Sequence, residues 1–156
     1  MTGSDEAIVV RVLEPSDLEA VIEFDEQVFG GDAWPRDWFD EIVADPNVTM
    51  FVAELEQVTA LQFAGYCALH VKGADGEVAT IGVDEAFRRR GVGRKMMSVL
   101  VDRARTSGLS SMSLNLRTDN AGARKLYESF GFRTSGVEPR YYDSDGADAE
   151  IMTLEL

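Results

Sequence analysis

Thr80-Ile81-Gly82-Val83-Asp84-Glu85-Ala86-Phe87-Arg88-Arg89-Arg90-Gly91-Val92-Gly93-Arg94-Lys95 is the most informative stretch of this chain. It predicts a strand that ends near Val83, a short loop, and a helix that begins at the glycines. Helix N-termini expose amides without partners and carry partial positive charge, so they attract anions. Glycine removes the Cβ and lets a ligand approach the backbone closely. Arginine adds charge-assisted hydrogen bonds. The lysine-containing P-loop pattern is absent, as is the three-glycine dinucleotide fingerprint, which turns the reading away from nucleotide hydrolysis and hydride transfer. A small anion seated on this loop and a plain solvated helix start both remain open from these residues alone.

The rest of the pattern builds around that strand and helix. From Gly91 to about Ser107, Val92, Met96, Val99, Leu100 and Ala104 share one helical face, and Gly108 closes the helix. Ser111–Arg117 alternates, with Met112, Leu114 and Leu116 on one side and Ser113, Asn115 and Arg117 on the other. Asp119-Asn120 opens a helix carrying Ala123, Leu126, Tyr127 and Phe130 and ending at Gly131. Phe132–Gly136 and Glu150–Leu156 predict a last strand pair, with Asp145-Gly146 in the connection. Upstream, Ala7–Leu13 reads as a first strand, and Pro15-Ser16-Asp17 opens a helix that ends at Gly30-Gly31. A shorter helix starts at Trp34-Pro35, carries Trp38, Phe39, Ile42 and Val43, and stops at Asp45-Pro46-Asn47. Val48–Glu54 and Leu61–Val71 read as strands, and Asp75-Gly76 is a hairpin signal leading into Glu77–Val83. The order is strand, two helices, three strands, helix, strand, helix, two strands. That predicts a mixed α/β fold, one domain over residues 1–156.

Hydrophobic residues make up 45% and charged residues 28% of the 156, which fits a packed globular chain rather than a disordered one. The net charge of −13 argues against general nucleic-acid binding. It is unevenly spread: residues 1–87 hold 19 acids and 3 cations, whereas residues 88–156 hold 9 acids and 12 cations. The basic cluster at Arg88–Lys95 therefore stands out as an anion site. One cysteine, Cys67, the polar start Met1–Glu6 and the lack of a long apolar run predict a cytoplasmic protein with no membrane association. A single histidine, His70, without a second ligand predicts no metal site. Cys67 reads as a small buried hydrophobe, with His70 on the opposite face of its strand.

Two motifs carry a family resemblance. Arg88-x-x-Gly91-x-Gly93 after a strand resembles the acyl-CoA pyrophosphate loop of the Gcn5-related N-acetyltransferases (GNAT). Asn120-x-x-Ala123-x-x-Leu126-Tyr127-x-x-x-Gly131-Phe132 resembles that family's later helix. Within the family the chain is most similar to the RimI-type ribosomal-protein-alanine N-acetyltransferases. Phe29…Trp34-Pro35…Phe39, Leu114–Asn120, and Arg140-Tyr141-Tyr142 followed by Gly146–Ala149 and Met152 carry that likeness. The resemblance implies one GNAT-like domain: a mixed, mostly antiparallel sheet of seven strands with four helices, splayed between strands four and five.

It also implies direct transfer of acetyl from acetyl-CoA to an amine. Carried over, Ile81, Gly82 and Val83 offer backbone groups to the pantetheine and the acetyl carbonyl. Arg88, Arg89, Arg90, Gly91, Val92, Gly93 and Arg94 cradle the pyrophosphate, Asn120 holds the pantetheine arm, and Tyr127 is the general acid. Phe29, Trp34, Tyr141 and Tyr142 would receive the acceptor, a basic protein N-terminus, with the enzyme a monomer or weak dimer. A small-molecule amine as acceptor is the alternative, and a non-catalytic acetyl-CoA binder a third.

The base is where the chain departs from its relatives. RimI-type enzymes carry a glutamate where this chain has Asn115, which cannot take a proton. Glu77, placed in phase with Ala79, Ile81 and Val83, is the remaining candidate, acting through water. The departure is tolerable for an α-amine, whose pKa of roughly 7.7–8.0 leaves about a tenth neutral at pH 7, unlike a lysine amine near 10.4. Residues Glu14–Asp45 hold 11 acids and one cation, Arg36, which would draw a basic acceptor if they flank the site; most of them equally suit a solvated helix pair.

Overall fold

The computed structural model describes residues 7–156, so the polar start at 1–6 lies outside the described residues. The β-branched run Ile8–Val12 (β1) pairs antiparallel with Val48–Glu56 (β2). Between them, Pro15–Asp17 makes one 3-10 turn that feeds Leu18–Phe29 (α1), and a second turn at Gly30–Asp32 leads to Arg36–Ala44 (α2). Arg11 pins this entry to the sheet. It donates to both Asp17 oxygens at 2.7 and 2.9 Å and to Glu54 Oε1 at 2.9 Å, which holds the Asp17 carboxyl below its ordinary range.

Leu61–Lys72 (β3) and Asp75–Val83 (β4) form the next hairpin. Its turn is Gly73-Ala74, not Asp75-Gly76, because Lys72 pairs with Asp75 and Gly73 supplies the positive φ of +64°. Gly76 is a ladder residue instead, and a Cβ there would meet Leu109 at 3.0 Å and Leu69 at 3.2 Å. Val92–Thr106 (α3) then crosses to Ser111–Arg117 (β5); Ala121–Ser129 (α4), Arg133–Glu138 (β6) and Ala149–Glu155 (β7) complete the chain. The sheet order is β1-β2-β3-β4-β5-β7-β6, the seven-strand mixed sheet with four helices that the family resemblance implies.

One face of the sheet packs Met96, Met97 and Leu100 of α3 against Cys67, Leu69, Met112 and Leu114, with Tyr127 and Phe132 at the α4 side. Each such side chain contributes about 1.5–3 kcal/mol through burial. The other face lies under α1 and α2, where Val21, Ile22, Phe24 and Phe39 meet Met50, Val52, Tyr66 and Ala68. Cys67 is fully buried and burial pushes its thiol up, so it packs as a hydrophobe.

Besides register shifts near Ala53 in β2 and between Thr134 and Gly136 in β6, β4 carries two irregularities that shape the site. Its parallel pairing with β5 lasts only through Asp75↔Ser111, Gly76↔Met112 and Glu77↔Ser113, after which the strands diverge and the sheet opens. In addition, β4 bulges at Ala79: Leu69 pairs with Val78 while Ala68 pairs with Thr80. The bulge breaks the expected phase. Glu77 and Ala79 look toward the α1–α2 layer, whereas Ile81 and Val83 pack against the α3 core.

Candidate active site

Past Glu77, the β5-facing edge of β4 has no strand partner among the described residues, so its backbone groups are left for a ligand. The wedge between the strands is a cavity of about 600 Å³, the size of a small-ligand site. From the sheet it is lined by Glu77, Thr80, Ile81, Asn115 and Arg117; from α4 and its cap by Asn120, Ala123 and Tyr127. The α1–α2 segment adds Asp25, Phe29, Asp32, Trp34 and Trp38, and the β6–β7 connection adds Tyr141, Tyr142 and Asp143. All three candidate catalytic residues thus share one cavity with all four candidate acceptor residues, Asn120 and Ile81.

Tyr127 reaches it because α4 is anchored over its first turn. Asn120 caps the helix by accepting from the Ala123 amide at 3.1 Å. Arg124, one turn on, and Thr134 of β6 both donate to the buried Glu150 of β7, and these bonds hold that carboxyl below its ordinary range. Tyr127 itself is buried, edge-on to Phe132 at 6.3 Å. Among the described residues no group hydrogen-bonds its hydroxyl, and burial pushes its pKa up to about 12. The phenol therefore faces the cavity with its proton in place.

The other polar groups are engaged differently. Glu77 is about a quarter exposed, with Lys72 Nζ at 3.2 Å and His70 Nδ1 at 4.0 Å. Asn115 Nδ2 donates to the Tyr141 hydroxyl at 3.2 Å, so it supplies a donor at the position where the family resemblance implies a glutamate. Trp34 does two jobs: its ring packs on Phe39 at 5.6 Å and it lines the cavity. Of the acids in Glu14–Asp45, Asp25 and Asp32 reach the cavity, while Asp17 and Glu19 are paired with Arg11 and Arg36.

Gly82, Val83 and the arginine loop lie outside the cavity wall. Arg88, Arg89, Arg90, Gly91 and Arg94 are exposed at the start of α3. Gly91 and, unusually for a side-chain-bearing residue, Arg89 are left-handed at φ +86° and +64°. The first-turn amides of Val92, Gly93 and Arg94 have no intrahelical acceptor, and among the described residues no side chain caps α3. Gly93 sits against Val83 and Leu126, where a Cβ would stand at 3.6 and 3.4 Å. Arg90 and Arg94 lie over Phe87 and Phe130 at 5.7 and 5.6 Å, beside those amides. Amides without acceptors, left-handed turns and exposed guanidiniums together suit a diphosphate. Gly82 serves packing: a Cβ there would meet Phe24 at 3.1 Å and Phe29 at 3.2 Å.

Asp25, Asp32, Trp38 and Arg117 are site residues that the sequence reading does not single out. Asp25 carried a signal, since it is an acid on the apolar stripe of a predicted helix. Arg117 ends an alternating strand, and nothing local marks it. Among the described residues no three His, Cys, Asp or Glu side chains gather as a metal site, and no helix is long and apolar enough to cross a membrane.

The acetyltransferase (GNAT) family matches residues 17–132, most of the chain. The chain belongs to that family and is an acyltransferase. The N-alpha-acetyltransferase RimI of Mycobacterium tuberculosis is 37% identical to it over 154 residues, 97% of this chain and 95% of that protein. The crystal structure of the ribosomal-protein-S18-alanine N-acetyltransferase from Escherichia coli superposes with a TM-score of 0.82 at 26% identity, covering 96% of this chain and 94% of that one. The uncharacterized protein ML0378 of Mycobacterium leprae is 39% identical over 99% of this chain, which spans 43% of that protein's length.

Proposed function

We propose that this protein is a cytoplasmic enzyme that transfers acetyl from acetyl-CoA to the N-terminal α-amine of a protein, a ribosomal protein with a basic start being the best candidate. The observation that carries this reading is the convergence of Tyr127, Asn120, Glu77 and the Tyr141-Tyr142 pair on one cavity where the sheet opens. The N-alpha-acetyltransferase and ribosomal-protein-S18-alanine N-acetyltransferase names of the two relatives agree with it.

In this reading the diphosphate rests on the α3 amides with Arg88–Arg94 around it, Asn120 steadies the pantetheine arm, and the thioester lies along the open edge of β4 at Ile81–Val83. The amine lone pair attacks the carbonyl carbon; the C–N bond forms and the C–S bond breaks. Tyr127 gives its proton to the departing sulfur, and the amine's surplus proton leaves through water to Glu77. Desolvation raises the basicity of a thiolate, so a sulfur leaving in a closed site is a good acceptor for the phenol's proton.

A second reading has support from charge. Among the described residues Asp25, Asp32, Glu77 and Asp143 line the cavity beside one cation, Arg117, which also suits a small polycation. A thiol-release assay with acetyl-CoA against N-terminal peptides, lysine peptides and small amines separates the two. Turnover of α-amine peptides is expected; turnover of small amines alone overturns the peptide reading, and none with any amine leaves only a binder.

A further inference from the structure

Arg117 ends β5 on the face that Ser113 and Asn115 share, and it lines the cavity. Its guanidinium is engaged on every side. Nη1 donates to Asp32 Oδ2 at 3.1 Å, in the turn between α1 and α2. Nη2 donates to Asp145 in the β6–β7 connection. Nε stands 3.4 Å from Asp119 Oδ1, just ahead of α4. The flat face lies over the Tyr142 ring, with Cζ 5.0 Å from its centroid. The two loops also touch directly: the Ser144 amide donates to Asp32 Oδ1 at 3.3 Å. Gly31 approaches so closely that a Cβ there would stand 2.9 Å from Ser144 Cβ.

We propose that Arg117 is a positioning residue that assembles the acceptor half of the site by tying the α1–α2 turn to the β6–β7 connection. This role rests on the reading that the cavity receives the acceptor. Among the described residues no strand ladder joins the two loops, so the tether sets Trp34, Tyr141 and Tyr142 against Tyr127. Without the cation, Asp32, Asp119 and Asp145 would repel one another. Lysine cannot replace it, because its donors share one nitrogen and cannot reach Asp32, Asp145 and Asp119 from three separate edges while a flat face lies on Tyr142.

Two readouts on Arg117→Gln and Arg117→Lys test the tether. In hydrogen exchange, amides at 30–33 and at 143–147 should exchange about fivefold faster together, with the strands unchanged. In steady-state assays the acceptor KM should rise about tenfold or more, with the acetyl-CoA KM within about twofold and little rescue by lysine. Unchanged exchange in either loop overturns the proposal. So does an acetyl-CoA KM that rises in step with the acceptor's, the mark of general loosening. A wild-type enzyme inactive on every peptide refutes the acceptor reading instead, and exchange still decides the tether.

Discussion

Tyr66 donates its hydroxyl proton to Asp25 Oδ1 at 2.5 Å, with both residues buried, and the other carboxylate oxygen accepts from the Trp34 amide at 2.9 Å. One carboxylate thus joins the centre of the sheet to the turn that carries an acceptor wall. Burial raises the Asp25 carboxyl above its ordinary 3.8, against the two hydrogen bonds. The folded protein then holds more protons than the unfolded chain just above that value, so stability falls as pH rises through the folded pKa. Asp25→Asn removes that slope and one accepted hydrogen bond, a loss of about 1 kcal/mol. The variant should lose more stability at pH 4 than at pH 7 in denaturant titrations; equal losses would count against a buried charge.

Tyr127→Phe should lower kcat by about 10²–10⁴, as expected for loss of a general acid. Its hydroxyl bonds no described group, so the melting temperature should barely move. With the phenol at about 12, the wild-type rate should show no alkaline loss from this group below about pH 11. A fully active phenylalanine variant removes Tyr127 from the mechanism.

Glu77→Gln should slow turnover most below pH 8, where the α-amine is largely charged and needs a base. Adding Asn115→Glu places a carboxylate where the family resemblance implies one and should restore part of that low-pH rate. A pH–rate profile for the single and double variants checks both; an unchanged profile for Glu77→Gln rules the residue out.

Gly82→Ala would push a methyl group against the Phe24 and Phe29 rings at 3.1–3.3 Å. Overpacking there should cost about 1–3 kcal/mol, read by thermal melting. Because Phe29 lines the cavity, the acceptor KM should rise as well; a melting curve identical to wild type would show that the rings give way.

Elements whose pattern is local were legible from the residues. β5 buries Met112, Leu114 and Leu116 in strict alternation, as its sequence predicts. α3 lies where its glycines predict, but it buries Met97 and Val101 while Val99 stays half-exposed. The helix packs across several strands, and the burial it receives is wider than one stripe. Asp75-Gly76 lost the turn to Gly73 because hairpin register follows cross-strand pairing, which no dipeptide encodes. The Arg117–Asp32 bond spans 85 positions of sequence, so no window over β5 contains its partner.

The bulge at Ala79 makes β4 a ruler of fixed length. Ahead of it, Glu77 aims a side chain at one layer; beyond it, Ile81 and Val83 aim theirs at the other and leave backbone along the open edge. A residue lost or gained between them would exchange the two faces, since strand side chains alternate with period two. Length variation among descendants of this chain should therefore gather at the exposed Gly73-Ala74 turn and spare the segment from Glu77 to Val83.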